Sequence, residues 1–158
     1  MLIKIIRPDD LSQLLTFFSE NNVELITRSF APFTLSSETA RWLACESHND
    51  KFYLGLIENE PVGFSMLRGW DEGFAIPSFG IFIDYRKHGL GLGKEMLDLT
   101  IEAAKNLDCE KIRLSVFASN PSACRLYLSR MFKEIERSSV VQNGVPDRKI
   151  IMIKDLTK

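Results

Sequence analysis

Apolar and polar positions change period several times along the chain, and each change predicts an element. Leu2 to Ile6 alternates as a strand does, and Pro8-Asp9-Asp10 then opens a helix to about Glu20 with Leu11, Leu14, Leu15 and Phe18 on one face. Asn21-Asn22 ends it. The stretch from Asn22 to Thr34 has no clean period and reads as a loop or short helix carrying Arg28, Phe30, Pro32 and Phe33. Ser36-Ser37-Glu38 offers an N-cap for a helix to about Glu46, with Ala40, Leu43 and Ala44 inward. Phe52 to Ile57 and Val62 to Leu67 form a hairpin across the turn Glu58-Asn59-Glu60-Pro61.

Trp70-Asp71-Glu72-Gly73 breaks the strand pattern, and Phe74 to Ile83 follows as a strand that Pro77, with no N–H for a ladder, interrupts. A helix from Gly91 to Asn106 sets Leu97, Ile101 and Ala104 against Asp98, Glu102 and Lys105. Lys111 to Phe117 is a strand. Asn120-Pro121 starts another helix, an Asn N-cap with Pro at the first helical position, and Ala123, Leu126, Tyr127 and Met131 follow at helical spacing. Two last strands, about Phe132 to Val140 and Arg148 to Ile153, flank the turn Asn143-Gly144-Val145-Pro146. The order βααβββαβαββ predicts an α/β (α+β) chain with one mixed sheet and helices on its faces.

Composition narrows the classes. With 158 residues and 45% apolar content the chain suits one domain spanning 1–158, with a sizeable core. No run approaches the roughly 18 apolar residues of a membrane span, and the start alternates like a strand rather than a signal peptide, which points to a cytoplasmic protein without membrane contact. Twenty Lys and Arg against 21 Asp and Glu leave no positive field to hold nucleic acid, so any anion recognition is local. Cys45, Cys109 and Cys124 lack metal or disulfide spacing, and no metal is expected. Cys124 reads as a small buried residue.

The strongest chemical signal is Arg86-Lys87-His88-Gly89-Leu90-Gly91-Leu92-Gly93, between the strand ending at Ile83 and the helix that follows. Glycines let a backbone turn and approach a ligand, and the free N–H groups and dipole of a helix start favour an anion. Arg86, Lys87 and Lys94 add positive charge to the rim. A nucleotide P-loop would need glycine at His88 and a hydroxyl at Glu95, and a dinucleotide fingerprint begun at Gly89 would need glycine at Lys94. Both spacings fail, which sets aside a kinase or dehydrogenase. The pattern [QR]-x-x-G-x-[GA] fits instead, and so does N-x-x-A-x-x-[LF]-Y in Asn120, Ala123, Leu126 and Tyr127. Through these two motifs, in order and on matching elements, the chain resembles the GNAT superfamily of acyl-CoA-dependent N-acyltransferases over roughly Leu54 to Phe132. Met131 departs from it, standing where glycine is usual before Phe132.

The resemblance implies a mostly antiparallel sheet flanked by about four helices, acetyl-CoA as co-substrate, and direct attack by an amine acceptor in a ternary complex. Main-chain groups of Ile81, Phe82 and Ile83 would meet the thioester and pantetheine. The loop Arg86, Lys87, His88, Gly89, Leu90, Gly91, Leu92 and Gly93 would hold the pyrophosphate, and Asn120 the pantetheine arm. Tyr127 would protonate the departing thiolate, its phenol being protonated at neutral pH; as a helix residue it could equally pack its ring in the core. An amine near pKa ~10.4 must lose a proton before attack. Glu72, beside Asp71, is the nearest acidic candidate for that base, and a solvated turn residue is its other reading. His88 has the right type but lies beside the pyrophosphate, and His48 reads as exposed at a helix end. Arg28, Phe30, Phe33, Trp70 and residues near Asn143 would flank the acceptor: the Asp71-Glu72 pair suits a cationic amine, Arg28 one with a carboxylate or phosphate. A homodimer is admitted, and a non-catalytic acyl-CoA-binding module is the alternative function.

Overall fold

In the computed structural model, which describes residues 1–30 and 32–157, the first alternation becomes β1 (Leu2–Ile5), paired antiparallel with β2 (Lys51–Ile57). The expected helix at Pro8 begins instead as a tight 3-10 turn, Pro8–Asp10, and α1 proper spans Leu11–Asn21. Asp10 explains the break: its buried carboxylate accepts the Arg7 N–H at 2.8 Å and the Lys4 ammonium at 2.6 Å, fixing the chain before the helix. A single turn, α2 (Glu24–Thr27), stands in the aperiodic stretch, and α3 (Ser37–Cys45) starts where Ser36 caps the Thr39 N–H at 3.1 Å.

The next hairpin turns more tightly than the sequence suggests. β3 (Glu60–Arg68) already pairs Glu60 with Ile57, so only Glu58 and Asn59 form the turn, both at positive φ. Such a turn matches the right-handed twist of its strands. Pro61 is tolerated because it falls opposite the register shift at Gly55/Leu56. β4 is shorter than expected, Ser78–Ile83, the residues from Phe74 to Pro77 staying outside it. It leads to α4 (Leu92–Asn106), β5 (Lys111–Phe117) and α5 (Pro121–Ser129). The last hairpin joins β6 (Lys133–Gln142) to β7 (Val145–Asp155) through Asn143 and Gly144 alone, both at positive φ.

The seven strands form one sheet in the order β1-β2-β3-β4-β5-β7-β6, antiparallel except between β4 and β5. Two cores cover its faces. Leu14, Phe17 and Phe18 of α1 and Ala40 and Leu43 of α3 pack with Phe64 and Phe82 on one side; Leu97, Ile101 and Ala104 of α4 and Tyr127 of α5 pack with Ile112, Leu114 and Met152 on the other. Each fully buried aliphatic or phenyl group contributes roughly 1.5–3 kcal/mol. α4 lies close against β3: a Cβ on Gly63 would stand 2.6 Å from Met96 Sδ. One buried polar contact crosses that seam, Ser65 donating to Thr100 Oγ1 (2.8 Å), whose own proton goes to the Met96 carbonyl.

Among the described residues no helix is long and apolar enough to cross a membrane.

Candidate active site

The site begins where β4 and β5 part. Their only ladder pair is Ser78↔Arg113, at the amino-terminal ends of both strands. The Arg113 N–H reaches the Pro77 carbonyl and the Asp84 N–H reaches Val62 on the other side. By alternation, Ile81 and Ile83 therefore turn their main-chain groups toward β5, where no ladder partner meets them. Parting strands leave a wedge with unpaired amides on its wall, an arrangement that a buried extended ligand can complete.

At the mouth of the wedge the glycine loop turns through Gly89 (φ +79°) and Gly91 (φ +78°), a left-handed conformation natural to glycine. Gly91 is the N-cap of α4, and the first bond of that helix runs from the Glu95 N–H to the Gly91 carbonyl. The N–H groups of Leu92, Gly93 and Lys94 thus precede any helical partner, and the dipole of a 15-residue helix stands behind them. A Cβ at Gly89 or Gly91 would meet no protein atom within 4 Å. The space there is open for something other than the protein.

A cavity of about 560 Å³ runs from this loop along the wedge. It brings together Ile81, Phe82 and Ile83, then Lys87, His88, Gly89, Gly91, Leu92 and Gly93, and finally Asn120 and Tyr127. Two expected members stand apart. Leu90 is 69% exposed, and Arg86 is held away from the cavity by carboxylates: Nε and one terminal nitrogen bind Asp84 at 3.0 and 2.8 Å, and that nitrogen also binds Glu20 at 2.7 Å. The Arg86 side-chain bonds, ahead of other contacts, hold the buried Asp84 carboxyl below its ordinary value. Arg86 therefore anchors the loop to the end of α1, with Asn21 adding a bond to the Tyr85 N–H at 2.9 Å, and the positive rim rests on Lys87 and the helix start. His88 is committed as well, its Nε2 donating to the Ile83 carbonyl at 2.8 Å.

Tyr127 is fixed from both ends of α5. Asn120 Oδ1 caps the Ala123 N–H at 3.3 Å, and Asn120 lines the cavity. At the other end the Phe132 N–H bonds the Tyr127 carbonyl and the Met131 N–H that of Leu128, a Schellman closure with Met131 at φ +66° rather than inside the helix. The Tyr127 ring packs edge-on to Phe79 and Phe132. Its hydroxyl bonds no described residue, yet among the described residues no sealed polar side-chain atom lacks a partner, so the oxygen opens onto the cavities. Burial, with a smaller contribution from Cys124, pushes the phenol well above its ordinary value.

A second cavity of about 540 Å³ meets the first at Phe30, Ile81, Ser115, Phe117 and Tyr127, and it contains Glu72. Glu72 is exposed and pairs with Arg68 at 3.6 Å, whereas Asp71 caps the Asn49 and Asp50 N–H groups. Of the other flagged residues, Arg28 lines the loop cavity, Phe33 packs on the first core, and Trp70 lines a separate cavity beside Cys109. His48 is half-buried, its ring against Trp42 and Phe52. Burial raises the Cys124 thiol, as befits an inert residue. Arg113, Ser115 and Lys149, lining the second cavity, went unremarked in the sequence; period-2 alternation puts 113, 115 and 117 on one strand face but does not say that the face is open.

The model of the acetyltransferase (GNAT) family matches residues 18–131. The chain belongs to the GNAT family. Its sheet and helices superpose on a GNAT acetyltransferase from Streptococcus pneumoniae with a TM-score of 0.77 at 21% identity, covering 98% of both chains. A ribosomal-protein-alanine N-acetyltransferase from Brucella melitensis superposes at 0.78, with 21% identity over 98% of this chain and 99% of that one. At these identities the likeness establishes the GNAT fold. A spermine/spermidine N(1)-acetyltransferase of Bacillus subtilis (strain 168) is 49% identical over 47 residues, 29% of this chain and 31% of the relative, so the match spans under a third of that protein's length.

Proposed function

We propose that this GNAT chain, acting as one domain, is an N-acetyltransferase that moves the acetyl group of acetyl-CoA to a primary amine by direct attack in a ternary complex. The supporting observation is the meeting of two cavities at Tyr127, one rimmed by the glycine loop and the other open to a second substrate. Amides at Leu92 to Lys94 and the α4 dipole suit a diphosphate, Asn120 and the unpaired amides of β4 suit the pantetheine arm, and the thioester then lies between Ile81 and Tyr127.

In the transfer the amine nitrogen bonds to the acetyl carbon while the carbon–sulfur bond breaks. The Ile81 N–H, facing the wedge, opposes the charge that builds on the carbonyl oxygen; a donor already aimed there costs no reorganisation. Tyr127 gives its proton to the departing sulfur; a phenol is protonated at neutral pH and so able to donate. Glu72, in the acceptor cavity, takes the proton that the ammonium must lose, directly or through water. The test is a thiol-release assay with acetyl-CoA and a panel of amines, each acetylated product identified by mass. Turnover with any amine supports the reading; coenzyme A binding with no turnover across the panel would favour the binding-module alternative.

A further inference from the structure

We infer that the second cavity selects amines that also carry an anionic group, a carboxylate or a phosphate, and that Arg113 and Lys149 recognise it. This rests on the transferase reading above and names the acceptor class of that site. Four charged side chains line the cavity: Arg68, Glu72, Arg113 and Lys149. Arg68 and Glu72 offset each other at 3.6 Å, and the Arg68 guanidinium is further occupied over the rings of Phe33 and Trp42, 5.8 and 6.0 Å from their centres. Arg113 and Lys149 are half-buried and form no ion pair or side-chain hydrogen bond among the described residues. The cavity therefore presents two uncompensated cations and no unpaired carboxylate.

Their placement fits a small acceptor. Arg113, Ser115 and Phe117 share one face of β5, and Lys149 lies opposite Phe117 on β7. Ser115 and Phe117 belong to both cavities, so they mark the level of the acyl transfer. Arg113 is one strand repeat further toward the closed end of the wedge, about 7 Å from Ser115, and Lys149 borders the open side. An amine whose nitrogen sits beside Tyr127 thus puts a carboxylate or phosphate a few bonds away within reach of one cation or the other. Arg113, with its planar fork, can bind such a group with two parallel hydrogen bonds. The same two charges disfavour a polyamine, whose remaining ammonium groups would lie against them.

The experiment compares kcat/KM at saturating acetyl-CoA for four acceptors: an amino acid, an amino-sugar phosphate, an uncharged primary amine and a polyamine. The expected result is a preference for one or both anionic amines of roughly 10- to 100-fold, the range of one charge-assisted contact. The two anionic arms separate carboxylate from phosphate recognition. R113A should raise KM for the preferred amine by a similar factor with a smaller effect on kcat, and R113K should recover part of the loss. Preference for the uncharged amine or the polyamine, or an acceptor KM unmoved in both R113A and K149A, would overturn the inference while leaving the transferase standing. No turnover with any acceptor would overturn both.

Discussion

Replacing Tyr127 by Phe separates chemistry from packing in this site. The ring makes its contacts through carbon, edge-on to Phe79 at 6.2 Å and to Phe132 at 5.7 Å between centres, and the hydroxyl bonds no described residue. Loss of the oxygen therefore leaves no orphaned partner and no sizeable void. Stability should change by no more than about 0.5 kcal/mol, a Tm shift within ~2 °C for a domain of this size. A positioned general acid is worth about 10²- to 10⁴-fold in rate, or ~2.7–5.4 kcal/mol of barrier. We expect kcat to fall by that factor, with acetyl-CoA affinity by calorimetry within about twofold of the parent. The alkaline limb gives an independent reading. Burial raises the folded phenol above 10.0, so its contribution to stability is complete below that value and is lost as pH rises toward the folded pKa. Tyr127→Phe should accordingly be the more alkali-resistant protein. A variant with kcat within threefold of the parent, or one that loses acetyl-CoA affinity as steeply as rate, would refute the assignment.

Gly91→Val places a branched residue at φ +78° with no protein atom near its Cβ, so the fold absorbs a cost of about 1–2 kcal/mol while the side chain enters the loop cavity; coenzyme A affinity by calorimetry should fall at least about tenfold. Met131→Gly relieves the left-handed strain in the Schellman closure and should stabilise by about 1 kcal/mol, raising Tm by ~2–4 °C in a thermal melt. The Asp84 carboxyl, held below 3.8 chiefly by the Arg86 side chain, contributes stability that is present above that value and lost as pH falls through the folded pKa. The drop in urea midpoint from about pH 4 to pH 2 should therefore be shallower in Asp84→Asn.

Local rules made the elements legible. The Ser36 cap, the Asn120-Pro121 start and the inward face of α4 all stand where sequence put them, because each depends on residues within a turn or two of one another, whereas the four-residue turn expected at Asn143 to Pro146 tightens to Asn143-Gly144. The misreadings fall where a particular contact or the strand twist, rather than the period of apolar positions, decides. Asp10 shortens α1 through Lys4 and Arg7, and the twist of a strand pair tightens the turn at Glu58-Asn59. Met131 matches helical spacing, yet the closure that the Phe132 N–H makes on Tyr127 puts it one residue past the helix cap.

The candidate site divides along the same line. The glycine loop and Tyr127 line one cavity, and both were singled out because each sits in a motif of nearby residues. Arg86 looked like part of the phosphate rim for the same reason, but Glu20, 66 positions earlier, and Asp84 claim its guanidinium and make it a brace instead. The acceptor wall depends on a still less local fact. Arg113, Ser115 and Phe117 alternate as any half-exposed strand would, and only the loss of pairing beyond Ser78↔Arg113 turns that face into a cavity wall opposite Tyr127. A motif can announce where a shared cosubstrate would bind, since its backbone demands recur; in the proposed reaction the acceptor would be read by side chains on parted strands, so its specificity has to be taken from the charges that the wedge leaves unpaired.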